Sequence, residues 1–504
     1  MKRTPSRRAL VLIVVMVVIA MLSLAGFTYG ELMFGEHEAA VLHGKALQAR
    51  VLSDSGIDLV KSVLMEDPAL IEENGGLYDN AGRFQGVLAM DETTGEEPGR
   101  FSVVAPRVDQ GVLSGVRYGL ENESAKLNLN EILLADLIEA DGARNLLMSL
   151  PGMTEDVADA ILDWIDEDDD QREFGAEADF YSGMSPPYGP KNGPLDTVEE
   201  LLLVRGVTPW LLFGGDVNRN FTLEASEEVY VGNSGVDNSD GSMTCGWAAY
   251  LTLYSAETNL QSDGTPRINL NETDLEVLHG QLKEKFDDEW ANFIIVFRQN
   301  GPMELEGPPP TPPQKVGSQA PDFEIEPKYT FSQVLDLIGK YTQVTNPMTN
   351  QATIIDTPFP DNPGLIATYL PQLMDAVTVV KEPAIRGRIN INQAPRTLLL
   401  GIPGLTPDVV ENIIADRTPE PTENEPEFRH ETWLLTKGMV TLDEMKELMP
   451  LVTCGGAVYR VQVLGYFENG GPTARAEAII DATSGTPGVV FWRDLTHLGR
   501  GFAQ

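Results

Sequence analysis

The sequence predicts an α+β fold in which a long N-terminal helix packs on an antiparallel sheet that is interrupted by a large inserted helical region. Three observations predict it. A basic segment at the N-terminus precedes a long uncharged apolar stretch. Sequence of β type stands on both sides of a mainly helical region. A five-residue motif recurs three times inside that region, as expected for a repeated helical module.

The N-terminus predicts a membrane helix. Residues 1–8 read MKRTPSRR, a basic leader without an acid, and residues 9–29 carry no charge. About 20 apolar residues span a bilayer core, and the basic flank stays in the cytoplasm. A cleaved signal peptide is the alternative. The uncharged stretch is long for a signal peptide, and a helical apolar pattern continues over residues 32–64. These features favour one helix that starts in the membrane and ends on a folded domain.

The rest of the chain divides into three segments that differ in their predicted secondary structure. Residues 30–119 contain the end of that helix and then strand-like segments such as FQGVLAM and RFSVVAPR. Residues 120–450 are mostly helical, with a Pro-rich linker at 307–313. Residues 451–504 return to alternating β sequence. Sheet sequence on both sides of the helical region predicts an insertion into an α/β domain.

Repeated modules start near residues 126, 267 and 388, where the chain reads KLNLN, RINLN and RININ. The last Asn of each motif is expected to cap the following helix. Three turns, LPGMT at 150–154, VRGVT at 204–208 and IPGLT at 402–406, are typical of helix-hairpin-helix units. Acidic residues flank these turns, so we interpret them as packing units and not as phosphate-binding hairpins.

The net charge of the chain and the absence of catalytic motifs in its sequence exclude several classes of function. The formal net charge is −40, from 36 basic and 76 acidic residues, which argues against nucleic acid as the main partner. The five histidines are scattered and no H-E-x-x-H, G-x-S-x-G or phosphate-loop motif occurs, so we expect no enzyme. The two cysteines, Cys245 and Cys454, are compatible with one disulfide or with two free thiols.

The densest acidic stretch predicts a calcium loop. Asp166, Asp168, Asp170 and Glu177 occupy positions 1, 3, 5 and 12 of the twelve-residue calcium-binding pattern. Gln171 stands where that pattern has Gly, so the loop is not a regular EF-hand. The alternative is a solvated acidic helix end, which is a poor place for uncompensated carboxylates.

A second calcium loop is predicted fifty residues later along the chain. Asp216, Asn218, Asn220 and Glu227 have the same spacing, and Phe221 replaces the Gly of position 6. An Asn-rich surface turn explains the same residues equally well.

In order, the motifs KLNLN, LPGMTEDVADAILDWIDEDD, GAEADFY, PLDTVEELLLVRGVTP and RININQAPRTLLLGIPGL resemble general secretion pathway protein K, a minor pseudopilin of the type II secretion system. The resemblance implies a pilin-like domain interrupted by a large α-domain that binds calcium. It implies a single-pass inner-membrane protein, with most of the chain in the periplasm. It also implies a place at the pseudopilus tip, with other minor pseudopilins and the inner-membrane secretion platform as partners.

Two departures from that family pattern stand out. Prepilin processing normally follows a Gly, but Ser6 to Ala9 contains none, so we place any cleavage between Arg8 and Ala9. Residues 213–387 are expanded relative to the usual member. The alternative function is a membrane-tethered helix-hairpin-helix receptor for DNA; an envelope hydrolase is disfavoured because no catalytic motif is present.

Overall fold

The computed structural model describes residues 7–91, 97–228, 237–303, 310–317, 321–345, 351–422 and 424–502. Residues 1–6 of the basic leader and 307–309 of the Pro-rich linker lie outside the described residues. The helices are α1 Arg7–Val63, α2 Pro68–Glu73, α3 Ala81–Phe84, α4 Gly142–Met148, α5 Glu155–Ile165, α6 Ala178–Ser182, α7 Pro209–Phe213, α8 Leu275–Lys285, α9 Asp288–Asn300, α10 Pro363–Ala376, α11 Arg396–Leu399, α12 Pro407–Asp416, α13 Trp433–Thr436 and α14 Leu442–Leu448.

Strands of the main sheet come from both ends of the chain: β1 Val87–Met90, β2 Gly99–Asp109, β3 Val112–Tyr118, β4 Glu121–Asn122, β15 Val458–Phe467, β16 Ala474–Asp481 and β17 Gly488–Asp494. The remaining strands are short: β5 Leu127–Asn128, β6 Leu251–Thr252, β7 Ala256–Thr258, β8 Ile268–Asn269, β9 Thr342–Thr345, β10 Ala352–Ile355, β11 Val377–Thr378, β12 Ala384–Arg386, β13 Ile389–Asn390 and β14 Val452–Thr453.

Helix α1 is continuous over 57 residues, about 85 Å at 1.5 Å per residue. Its apolar first half is exposed, and of the described residues it is the one helix long and apolar enough to cross a membrane. Burial begins at Ala49, where the helix reaches the sheet. Arg8 and Ala9, where we placed the processing bond, lie in the first turns of this helix.

The main sheet has seven strands in the order β1-β2-β15-β16-β17, with β3 beside β2 and β4 beside β15, and all of its pairs are antiparallel. Ile57 and Val60 of α1 pack on Val463 and Ala478 of the sheet. A Cβ atom on Gly465 would lie 2.2 Å from the carbonyl oxygen of Ala49, so glycine permits this close approach. The predicted combination of a long N-terminal helix and an antiparallel sheet is confirmed.

The chain leaves the sheet after β4 and returns to it at β15, and between them lies what we call the helical block, residues 123–454. Three short parallel strand pairs organise this block, and each begins at one of the repeated motifs. They are β5 with β6, β8 with β11, and β13 with β14. The second strand of every pair ends in threonine, Thr252, Thr378 or Thr453.

The asparagines of the repeated motif do not cap helices, so that expectation is wrong. The last Asn instead clamps a distant loop: Asn130 exchanges two hydrogen bonds with the backbone of Leu195, and Asn271 does the same with Phe331. In each motif the side-chain oxygen of the first Asn accepts a bond from the backbone N–H of the last. The amides are therefore used as backbone substitutes inside the block.

The three predicted turns share one feature. Their glycines, Gly152, Gly206 and Gly404, all have φ between 69° and 85°, in the left-handed region that glycine tolerates best. Gly152 lies between α4 and α5, and Gly404 lies between α11 and α12. The indole N–H of Trp247 donates to the carbonyl of Pro151 at 2.8 Å, which fixes the first turn to the rest of the block.

A buried ion network joins the sheet to the helical block. Arg460 of β15 donates to both oxygens of Glu123 at 2.8 and 3.2 Å, and to Glu477 of β16 at 2.9 Å. The ammonium group of Lys126, the first residue of the KLNLN motif, lies 3.7 Å from Glu123. Thr252 of β6 donates its hydroxyl to the same carboxylate. Groups from the sheet and from the first repeated module thus contact Glu123 at the same time.

Charge compensation decides the protonation of Glu123. Complete burial alone would raise the pKa of this carboxyl, but the nearby Arg460 and Lys126 lower the pKa to about 2. A group whose pKa is depressed in the folded state stabilises the fold above its unfolded pKa and loses that contribution as the pH falls. The stabilisation by ionised Glu123 is therefore lost as the pH falls from 4.5, the ordinary pKa of the carboxyl, to about 2, its pKa in the folded protein.

We predict that Glu123→Gln destabilises the protein by about 3 kcal/mol at pH 7, because a buried ion pair loses one partner. The variant is also expected to lose less stability than the wild type between pH 4.5 and 2. Denaturant unfolding of the full chain in detergent at several pH values measures both effects. Glu447→Gln, at an exposed position of α14, is the matched control. Equal stability of Glu123→Gln and wild type at pH 7 would contradict the role given to the network.

Candidate metal centres in the helical block

The first acidic loop runs from the end of α5 to the start of α6. Asp166 is the residue after α5 and Glu177 is the residue before α6, and both are buried. Asp168 and Asp170 are exposed, and Asp168 accepts a hydrogen bond from the backbone N–H of Asp170. The structure therefore brings the first and last predicted ligands inward and leaves the two between them at the surface.

An internal cation organises part of this loop. Arg172 donates to Asp163 at 3.0 Å and also to Asp166. Asp163 lies in the last turn of α5 and is fully buried. The predicted metal ligands did not include Asp163, although it lies within the acidic stretch. The positive charge of Arg172 thus compensates two carboxylates, Asp163 and Asp166. The third buried carboxylate, Glu177, does not bond to this arginine.

Glu177 carries the clearest sign of a missing partner. Within the described part of the chain, neither of its carboxylate oxygens has a hydrogen-bond partner, and Oδ1 of Asp166 has none either. Burial, together with the charges of Asp163, Asp166 and Asp169, raises the pKa of Glu177 to about 7. Buried oxygens without donors suit a divalent cation, which prefers carboxylate and carbonyl ligands.

Asn192 is a further oxygen donor at this loop. Its Nδ2 atom donates to the carbonyl of Asp168 at 3.0 Å and to Oδ1 of Asp169 at 2.8 Å. Its own Oδ1 atom is buried and has no partner among the described residues. Sequence reasoning did not identify Asn192, because a single asparagine after the loop carries no spacing signal.

The second loop is folded around Asp216. Its Oδ1 atom accepts from the backbone N–H of Asn220 at 2.9 Å, and its Oδ2 atom accepts from that of Phe221 at 2.7 Å. Arg219 and Phe221 have φ values of 57° and 64°, in the left-handed region. Phe221 therefore adopts at position 6 the conformation for which calcium loops ordinarily use glycine.

Glu227 closes the second loop. Its Oε1 atom accepts from the backbone N–H of Asn218 at 3.2 Å, and its Oε2 atom accepts from that of Glu224 at 3.0 Å. Burial is the main reason that the pKa of Asp216 rises to about 6, and the charge of Glu227 adds to the rise. Oδ1 of Asn218 is buried without a partner in the described chain. All four predicted residues, at positions 1, 3, 5 and 12, therefore belong to one closed loop.

Arg475 of β16 ties the second loop to the sheet. Its Nη2 atom donates to the carbonyls of Asn218 at 2.5 Å and Arg219 at 3.2 Å. The side chain of Arg475 is almost fully buried. Burial lowers the pKa of its guanidinium group, and the negative charge of Asp216 counteracts this decrease. No spacing in the sequence connects Arg475 with this loop, because the two lie in distant parts of the chain.

Neither loop is a finished metal site by side chains alone. Across the described residues, no three His, Cys, Asp or Glu side chains converge into a metal-binding group. The first loop instead combines three buried acids, Asp163, Asp166 and Glu177, with the buried amide oxygen of Asn192. The second combines two buried acids, Asp216 and Glu227, with the amide oxygens of Asn218 and Asn220. That donor set fits an oxygen-preferring cation such as calcium and does not fit zinc, which favours Cys and His.

The cysteines take no part in a disulfide: Cys245 and Cys454 are both free. Burial raises the pKa of each thiol well above its usual value, which keeps both protonated at neutral pH. Cys245 lies beside the second loop, with its Sγ atom 3.8 Å from Oδ2 of Asp216.

One part of the chain is similar to a known protein family. Residues 125–212 match the family described as type II secretion system protein K. This segment contains the first repeated motif, the turn at Gly152 and the first acidic loop. None of the curated proteins matches the chain.

Among solved structures, the chain is similar to a chain of the GspK-GspI-GspJ complex from the type 2 secretion system of enterotoxigenic Escherichia coli. The two are 12% identical, the alignment covers 90% of this chain and 97% of that one, and the TM-score is 0.36.

Proposed function

We propose, on the premise that residues 125–212 belong to the type II secretion system protein K family, that the whole chain is a minor pseudopilin of that system. The family match is the observation that carries the proposal. The architecture supports it, since an apolar helix of membrane length continues directly into the core of an antiparallel sheet. The proposed work is assembly, not catalysis.

The helical block suggests how the subunit acts. It is attached to the sheet by two chain crossings and by the Arg460–Glu123 network. We therefore expect it to move with the sheet as one body. A subunit with such a head cannot be covered by another subunit in a thin filament. We therefore place it at the tip, where it starts or caps the pseudopilus, with α1 anchored in the inner membrane before assembly and the head in the periplasm.

The partners in this proposal are the other minor pseudopilins and the inner-membrane secretion platform. The DNA-receptor alternative finds no support in the family comparison. The turns at Gly152 and Gly404 are best interpreted as helix-hairpin-helix packing units, since the exposed acids Glu155 and Asp156 lie just after the first of them. Phosphates there would meet carboxylates.

Calcium is part of the proposal as a structural ion. Asp166 and Glu177 with Asp163 and Asn192 would hold it in the first loop. Asp216, Asn218, Asn220 and Glu227 would hold it in the second. Bound calcium would neutralise buried carboxylates and cross-link each loop; no reaction passes through it. In the first loop the support is the set of buried oxygens without partners on Asp166, Glu177 and Asn192. In the second loop it is the closed turn around Asp216, together with the one unpartnered oxygen of Asn218.

We predict that the full chain, co-produced with the other minor pseudopilins of its system and purified in detergent, co-elutes with two of them in a fixed ratio. The expectation follows from a tip subunit that must be joined laterally to its neighbours. Size-exclusion chromatography with light scattering measures the ratio. Elution of this chain alone, while the other minor pseudopilins bind each other, would count decisively against the proposed function.

We predict that the chelator-treated protein binds two calcium ions and that calcium raises its unfolding temperature. At a concentration one hundred times Kd, one site stabilises a fold by about 2.7 kcal/mol. Calorimetric titration should give one ion less for Asp166→Ala with Glu177→Gln, and one ion less for Asp216→Ala with Glu227→Gln. Asp240→Ala, at an exposed acid outside both loops, is the control. Unchanged binding in either double variant removes that loop from the proposal.

A further inference from the structure

Strand β17 is a free edge of the main sheet. It is the last strand in the order β1-β2-β15-β16-β17, and among the described residues it pairs with β16 alone. Its sequence is GVVFWRD, and none of its seven residues is buried. An edge strand directs half of its backbone N–H and C=O groups away from its neighbour, where another strand can pair with them.

The exposed side chains of this strand are apolar. Val489, Val490 and Trp492, which we call the edge patch, are 42%, 48% and 51% exposed. Trp492 pairs with Ala478 and Val489 pairs with Ile480. Both partners belong to the core beneath α1, and directly opposite residues share a face of the sheet. Val489 and Trp492 therefore lie on the same side of the sheet as α1, and Val490 lies at the bulge that follows Val489.

The other face of β17 is already used. Phe491 pairs with Ile479, and its ring lies 6.4 Å from that of Tyr254 in the helical block. Arg493 forms ion pairs with Glu199 of the block and, at 2.8 Å, with Glu477. The strand is thus fixed in place from behind, and this makes its outer edge a rigid surface. The strand has one bulge, at Val490, but neither Pro nor Lys, which commonly protect edges.

The apolar surface continues from β17 onto α1. Arg50 of α1 lies 3.3 Å from Asp494, the last residue of β17. Leu47 and Val51, one turn apart on the helix beside Arg50, are both exposed. A neighbouring subunit that packs along α1 on this side consequently meets the edge patch as well.

The net charge of the chain indicates that the protein docking on β17 is a different chain and not a second copy of this one. Each copy carries a formal net charge of −40, so two copies that approach edge to edge repel each other. A less acidic subunit avoids that cost. Resting on the proposed function, we propose that a neighbouring minor pseudopilin adds its own edge strand beside β17, with Trp492 as the central apolar contact.

The test compares the full chain in detergent with a variant that carries Val490→Lys and Trp492→Lys. Titration against the purified minor pseudopilins of the same system should show binding at least about 30-fold weaker for the variant, the effect of losing an interface hot spot. Leu137→Lys, at a position in the helical block that is 83% exposed, is the matched control and should bind like the wild type.

Hydrogen exchange of the wild type gives a second readout that needs no variant. Backbone amides of residues 491–494 should exchange more slowly in the complex than in the free protein, because strand pairing protects them. Wild-type-like binding by the variant, or unchanged exchange at β17, overturns the inference and leaves the proposed function standing. Self-association that the two lysines abolish overturns it in favour of a second copy. Failure of the wild type to bind any minor pseudopilin overturns the proposed function itself.

Discussion

The fold depends on one buried carboxylate, Glu123, and on the two cations that compensate it. A carboxylate without solvent is costly, and Arg460 from the sheet and Lys126 from the first repeat offset that cost only if both segments are in place. The sheet and the helical block are therefore held in one relative position. The third motif has the converse arrangement, a buried cation between two carboxylates, because Arg388 lies between Glu257 and Glu431. Here too the charged groups come from separate segments of the chain.

The long helix and the sheet were predictable, because a membrane-length apolar run and alternating strands are local signals. The repeated motifs were also visible, but their use was not. Leu127 pairs with Leu251 and Ile389 pairs with Val452, and such two-residue parallel pairs between distant segments leave no periodicity to read. For the same reason the motif predicts helix caps, whereas in the folded chain the asparagine amides clamp loops that are distant in sequence.

The two acidic loops show the same limit at a finer scale. Spacing alone brought out all four residues of the second loop, because an entire loop lies within one short segment. In the first loop spacing found Asp166 and Glu177 but also Asp168 and Asp170, which lie at the surface. The structure adds Asp163 and Asn192 there, and Arg475 at the second loop. These groups reach the loops through helix packing or sheet pairing. A local sequence motif predicts neither kind of contact.

The buried network is expected to make the sheet and the helical block one cooperative body, so that a bulky head is held rigidly on the long N-terminal helix. Native-state hydrogen exchange at increasing denaturant tests it most directly. The amides of β15 and β16 and those of α5 and α9 should become exposed at the same denaturant concentration and with the same opening free energy. Exchange of the block at a clearly lower concentration than the sheet would show two independent bodies and contradict the account.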